Sequence, residues 1–235
     1  MLHNKNDRSV PKNLESVKTM ADVLLKIPEQ TQRITVPLQL AESEHYPLLL
    51  DVSNVVLRVS SEDFDQLCVD NPDLRLELTK EGELIVMAPA GGESSRKNID
   101  LSTDVNIWNR QTNLGMAFDS SCGYDFTAIG GGKLSPDVSW IEKSRLEGVN
   151  IKGFIPIFPD FVIELRSRTD NLKPLQEKMQ EYRRLGVRLG LLINPQQKQV
   201  ELYRPDQEVV VLDSPEAIDC SEVMPGFILS MSRIW

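Results

Sequence analysis

Histidine is almost missing from this 235-residue chain: only His3 and His45 occur, both near its start. That excludes chemistry built on a histidine base in the body of the chain, and any histidine-rich metal cage. Cysteine is scarce too. Cys68, Cys122 and Cys220 are odd in number and form no CxxC pair, which fits buried thiols in a reducing compartment better than disulfides or a zinc site. No run approaches the roughly 20 apolar residues that span a bilayer, and the N-terminus lacks the basic-then-apolar layout of a secretory leader. A cytoplasmic protein without membrane partners is the expectation. Aromatic residues make up only 6%, too few on the motif strands described below to line a sugar-binding cleft for a carboxylate-pair glycosidase. Basic charge is in deficit: 35 Asp+Glu stand against 26 Lys+Arg, a formal charge of −9. Such a surface does not coat nucleic acid indiscriminately.

What is present is ordinary for a folded domain, with 40% hydrophobic and 26% charged residues. There is no internal repeat and no low-complexity tract. Residues 1–59 read as a loose arm and an irregular extension with short β-like runs, packed on a core that spans 60–235. Ser60 or Ser61 followed by Glu62-Asp63 starts a short helix. Leu74, Leu76 and Leu78 alternate with polar residues and, through Lys80-Glu81-Gly82, lead into Leu84–Met87 as a hairpin. A helix is predicted from about Glu93 to Asn109, with Leu101, Val105 and Trp108 on one face. Strands follow at Met116–Asp119, Gly123–Ile129, Val138–Ile141 and Phe161–Arg166, with Gly130-Gly131-Gly132 as a flexible turn. Leu172, Leu175, Met179, Tyr182 and Leu185 recur at helical spacing up to Gly186. Leu189–Ile193 reads as a strand buried on both faces, and Val200–Tyr203 with Val209–Leu212 as a closing hairpin. The order gives α+β, or mixed α/β, around one central mixed sheet flanked by helices.

Carboxylates stand where such a sheet would bury them. On the strand at Phe161–Arg166, Glu164 and Arg166 share one side, roughly 6.6 Å apart, while Phe161, Ile163 and Leu165 take the other. A buried carboxylate is costly unless it is paired or holds a metal. Asp137, after Pro136 at the start of a neighbouring strand, can supply a second. Two carboxylates at an open site suit Mg²⁺, which keeps waters for a substrate. Lys178 falls on the shoulder of the Leu175/Met179/Tyr182 stripe, from which an ammonium can reach inward. Singly, each has a plainer reading: Asp137 as a turn cap, Glu164 and Arg166 as an ion pair, Lys178 as a snorkelling lysine, Glu77 as an exposed strand residue and Glu93 as a helix-start acid.

Taken in order, Pro136-Asp137, Glu164-Leu165-Arg166 and the helical Gln176-Glu177-Lys178-Met179-Gln180-Glu181-Tyr182 resemble the PD-(D/E)XK nuclease superfamily. They are closer still to its Uma-type branch of restriction-endonuclease-like proteins. The same likeness extends over Glu77 with Gly82–Pro89, Gly91-Gly92-Glu93-Ser94, Trp108–Thr112, Phe118-Asp119-Ser120-Ser121, Pro159–Ser167 and Pro225-Gly226-Phe227, about residue 60 to 235. It implies a restriction-endonuclease-like fold, and hydrolysis of DNA phosphodiesters with Mg²⁺, or Mn²⁺ in its place. Asp137 and Glu164 would be the metal-binding acids, the Leu165 carbonyl a further ligand, and Glu77 and Glu93 auxiliary acids. Arg166 departs from the superfamily's lysine. Arginine stays protonated, so it can stabilise phosphate charge but not take a proton. Lys178 matches the place to which the branch moves its lysine, for activating water or stabilising charge. The alternative is a degenerate nuclease fold that binds nucleic acid or a protein without cutting. A homodimer is a further expectation, as in many nucleases. Charge is segregated in a way that allows a local grip on DNA: between Ile163 and Gly190 seven Lys/Arg face four acids, whereas Pro205–Glu222 holds six acids and no Lys or Arg.

Overall fold

The first helix begins where the sequence places it. The computed structural model of the protein describes residues 56–235 and a two-residue strand, β1 (Arg33–Ile34). The arm and extension expected over residues 1–59 therefore lie mostly outside the described residues, which include only β1, β2 (Val56–Leu57) and the two residues after it. Helix α1 (Ser61–Asp70) is capped by the Ser60 hydroxyl, which accepts from the Asp63 amide at 3.0 Å. Its Phe64 is buried against Leu76 and Leu78 of β3 (Arg75–Leu78). Strand β4 (Leu84–Met87) pairs with β3 across a turn in which Gly82 takes φ +79°.

Helix α2 (Gly92–Thr112) runs a few residues beyond expectation before Asn113 ends it in the left-handed region. Strand β5 (Gly115–Asp119) follows. The strand expected at Gly123–Ile129 is shorter: β6 (Tyr124–Asp125) stops because the Asp125 carboxylate accepts from the amide and hydroxyl of Thr127, folding the chain into one 3₁₀ turn. The triple glycine is a packing contact more than a flexible turn. A Cβ on Gly132 would lie 1.9 Å from the Leu78 carbonyl oxygen. Only glycine lets β7 (Lys133–Leu134) draw that close to β3. The result is a four-stranded antiparallel sheet in the order β4-β3-β7-β6.

The larger sheet has six strands. It is built from β5, β8 (Val138–Glu142), β9 (Phe161–Leu165), β10 (Leu189–Asn194), β11 (Gln199–Tyr203) and β12 (Val210–Asp213), in the order β12-β11-β10-β9-β8-β5. Only β9 and β10 run parallel, and the crossover between them is helix α3 (Leu172–Leu185), closed by Gly186 at φ +107°. Strand β10 is buried along its whole length, as its continuous apolar run implies.

Alternation sorts the side chains to the two faces. Phe161, Ile163 and Leu165 join Leu101, Val105 and Trp108 of α2 on one side. Val162 and Leu192 join Met179, Tyr182 and Leu185 of α3 on the other. Each large apolar side chain so buried contributes about 1.5–3 kcal/mol. A hairpin that the sequence reading did not anticipate, β13 (Ala217–Asp219) with β14 (Ile228–Ser230), adds Ile218 and Leu229 to the α2 layer. The Trp108 indole seals this side by donating to the Pro225 carbonyl at 3.2 Å.

Candidate active site

The period of β9 that points Ile163 at α2 points Glu164 at α3, the side that also holds Tyr182 and Lys178. Pro136 keeps residue 136 out of the ladder, and the pairing of Val138 with Ile163 sets Asp137 beside Glu164. Asp137 Oδ2 accepts from the Leu165 amide at 2.8 Å, and Oδ1 from the Asn98 side chain of α2 at 3.0 Å. Glu77 arrives from the other sheet: its Oε1 accepts from the Ser135 amide at 2.7 Å and from Lys178 Nζ at 2.8 Å.

Lys178 is the hub. Its Nζ lies 2.8 Å from Glu77 Oε1, 2.8 Å from Glu164 Oε1 and 3.0 Å from the Ser135 carbonyl. It donates hydrogen bonds to Glu77 and to the Ser135 carbonyl and forms an ion pair with Glu164. Glu164 Oε1 also accepts from the Tyr182 hydroxyl at 3.1 Å. Glu77, Asp137, Glu164, Leu165 and Lys178 line one cavity of about 1170 Å³.

The remaining candidates stand apart. Arg166 follows the end of β9, and its guanidinium donates to the Asp170 carbonyl at 3.1 Å and to Asn194 Oδ1 at 3.2 Å. It braces the loop before α3 and does not line the cavity. Glu93 is exposed on the first turn of α2 and pairs with Lys97 at 2.8 Å, a contact that lowers its pKa. From that helix it is Asn98, one turn along, that reaches the site. Asn98, Ser135 and Tyr182 were not singled out as site residues in the sequence. For Asn98 a signal exists, since it continues the Leu101/Val105/Trp108 stripe back by three residues.

Burial dominates the electrostatics. It pushes Glu164 up to about 8; Lys178 opposes this, and the Asp137 and Glu77 charges add to it. Burial also raises Asp137, against the pull of the Leu165 amide and Lys178. For Lys178 burial works the other way, but Glu164 and Glu77 outweigh it and hold the ammonium above the ordinary lysine range. Burial and the Glu164 charge raise Tyr182, which stays a donor. Three carboxyl groups thus share one cation, and a divalent ion bound among them would favour their ionised forms. Among the described residues no three His, Cys, Asp or Glu side chains converge as a closed metal cage. An open site of two carboxylates, Asp137 and Glu164, with the Leu165 carbonyl beside them, fits Mg²⁺, which keeps several waters.

A pH dependence follows. Folded Glu164 binds its proton more tightly than in the unfolded chain, where the ordinary value of 4.5 applies. Its contribution to stability is fully present below that value and is lost as pH rises through about 8. Urea unfolding in chelator between about pH 5 and 8 should show stability falling with pH, and a flatter profile for Glu164→Gln. An equally steep fall in the variant would place the titration on another group.

The comparisons with known proteins bear on the family and the fold. No curated protein matches the chain. Among solved structures, a putative nuclease belonging to DUF820 from Anabaena variabilis ATCC 29413 is 24% identical over 68% of this chain and 88% of its own, with a TM-score of 0.58. At that identity the likeness is one of fold: a mixed α/β architecture of the nuclease kind. No helix among the described residues is long and apolar enough to cross a membrane. The model of the Uma2 family, described as a putative restriction endonuclease, matches residues 61–232, from the first turn of α1 to beyond β14. With nearly all of the described fold covered by that match, the chain belongs to the Uma2 restriction-endonuclease-like family.

Proposed function

We propose that the protein is a divalent-metal-dependent endonuclease that hydrolyses phosphodiester bonds in DNA. The gathering of Glu77, Asp137 and Glu164 around Lys178 on a cavity wall, in a chain of this family, carries the reading. Asp137, Glu164 and the Leu165 carbonyl would hold Mg²⁺, with Mn²⁺ able to replace it. Such an ion lowers the pKa of bound water and polarises a phosphoryl oxygen.

The protein's own groups prepare the site. The Leu165 amide and Asn98 fix Asp137 from two directions. Lys178 and Tyr182 both hold Glu164 by Oε1, which orients the carboxylate. Lys178 stays protonated and fully engaged, so its part is to position carboxylates and offset charge rather than to accept a proton. Arg166, tied to Asp170 and Asn194, supports the loop that carries the basic stretch 163–190 toward α3. That stretch supplies the grip on DNA that the acidic remainder withholds.

One observation favours a second reading, a nucleic-acid or protein binding module that does not cut: the Lys178 ammonium is held inside the protein among Glu77, Glu164 and the Ser135 carbonyl. Supercoiled plasmid incubated with Mg²⁺, Mn²⁺ or chelator separates the two. Nicking that needs the ion, together with calorimetric binding of Mn²⁺, is expected. Absence of both would leave the binding module.

A further inference from the structure

A second groove, of about 730 Å³, opens beside the carboxylate cavity. Arg75 and Ser135 line both spaces, so they are continuous along β3. The groove also begins at the site itself: Asp119, the last residue of β5, pairs with Val138, the neighbour of Asp137. Neither Asp137 nor Glu164 lines it, so the proposed metal chemistry leaves it unused.

Its charge runs against that of the whole chain. Arg75 and Lys152 are both exposed in it, and Asp119 is its only acid among the described residues. Asp119 Oδ1 accepts from the amide of Ser121 at 2.9 Å and from the Ser121 hydroxyl, and its charge lies within reach of Arg75, so the two cations exceed it by one. Arg75 gives one amine to the Ser120 carbonyl and keeps the rest of its guanidinium without a partner among the described residues. The same groove exposes Leu74 to 50% and Ile151 to 44%, apolar surface for which the fold itself has no use.

Two exposed cations beside an apolar wall, continuous with the proposed cleavage site, match a polynucleotide strand with its base unpaired. A groove of this order has room for one or two nucleotides of a single strand. We propose that the groove seats a single-stranded segment of the DNA substrate next to the cleaved phosphate. Arg75 and Lys152 each meet a backbone phosphate, and a base lies against Leu74 and Ile151. The inference rests on the nuclease reading and adds to it that the preferred substrate is single-stranded or frayed DNA.

Fluorescence anisotropy of the metal-free protein tests it, with a labelled single strand and a duplex of the same sequence. The single strand should bind more tightly. Arg75→Gln and Lys152→Gln should each weaken it roughly 3- to 10-fold and lower the slope of log K against log[salt] by about 0.7. Lys143→Gln, beyond the far end of β8, should change neither. Lys152 is exposed in a loop, so its result stands even if Arg75→Gln unfolds. Variants that keep wild-type affinity and slope while the wild type binds would overturn the groove and leave the nuclease reading intact. Tighter binding of duplex, weakened equally by both variants, would overturn the single-stranded occupant. A wild type that binds neither form would remove the groove and the nuclease reading together.

Discussion

Asp137→Ala should reduce Mn²⁺-dependent nicking of supercoiled plasmid by about a thousandfold, the order expected when a principal electrostatic group at a reacting centre is lost. Loss of metal binding should accompany it, since the variant leaves one carboxylate where two stood. Alanine also removes the acceptor of the Leu165 amide, which lies at 2.8 Å, and a buried amide left unpaired costs about 1–3 kcal/mol. Asp137→Asn separates the two effects. It keeps an acceptor for Leu165, and the Asn98 amide can turn to present its oxygen to the new side chain. The Asn variant should unfold near the wild-type temperature and be as inactive as the Ala variant. Equal cutting by the wild type and Asp137→Asn would move the chemistry away from this cavity.

Lys178→Met should cost stability on the order of 3–5 kcal/mol at neutral pH, the range measured when one partner of a buried ion pair is removed. Here one cation serves two buried glutamates, Glu77 and Glu164, each 2.8 Å from Nζ. Without it the carboxylates face each other unpaired, and the folded chain must take up protons. The loss should therefore shrink as pH falls toward the ordinary carboxylate range, as urea unfolding can follow. A second substitution, Glu77→Gln, removes one of the stranded charges and should restore part of the loss, because residues in one network do not act additively. If the single variant unfolds like the wild type, the lysine is not the hub described here.

Much of this arrangement was legible in the sequence because it rests on local periods. The alternation along Phe161–Leu165 tells which side of β9 Glu164 takes, and the 3.6-residue stripe of α3 puts Lys178 on its inner shoulder. The burial of β10 on both faces was readable from the apolar run at Leu189–Ile193. What resisted is what depends on distant chain. Nothing local to Glu77 says that the four-stranded sheet will fold over the six-stranded one and bury it. The contact of Tyr182 with Glu164 depends on a hydroxyl at the tip of a side chain that reads only as core. The family resemblance made Glu93 an auxiliary acid, yet a lysine four residues on takes it first. Arg166 obeys the strand period on paper, but β9 ends one residue earlier, and the loop sets its direction.

The lysine hub ties residues 77 and 178, 101 positions apart in the chain. Contacts of such separation form late, because the closure of a long loop precedes any gain from them. The site therefore completes itself only once both sheets have met, and a partly synthesised or partly folded chain holds its acids without their cation. The proposed catalytic competence would then be the last property the polypeptide acquires.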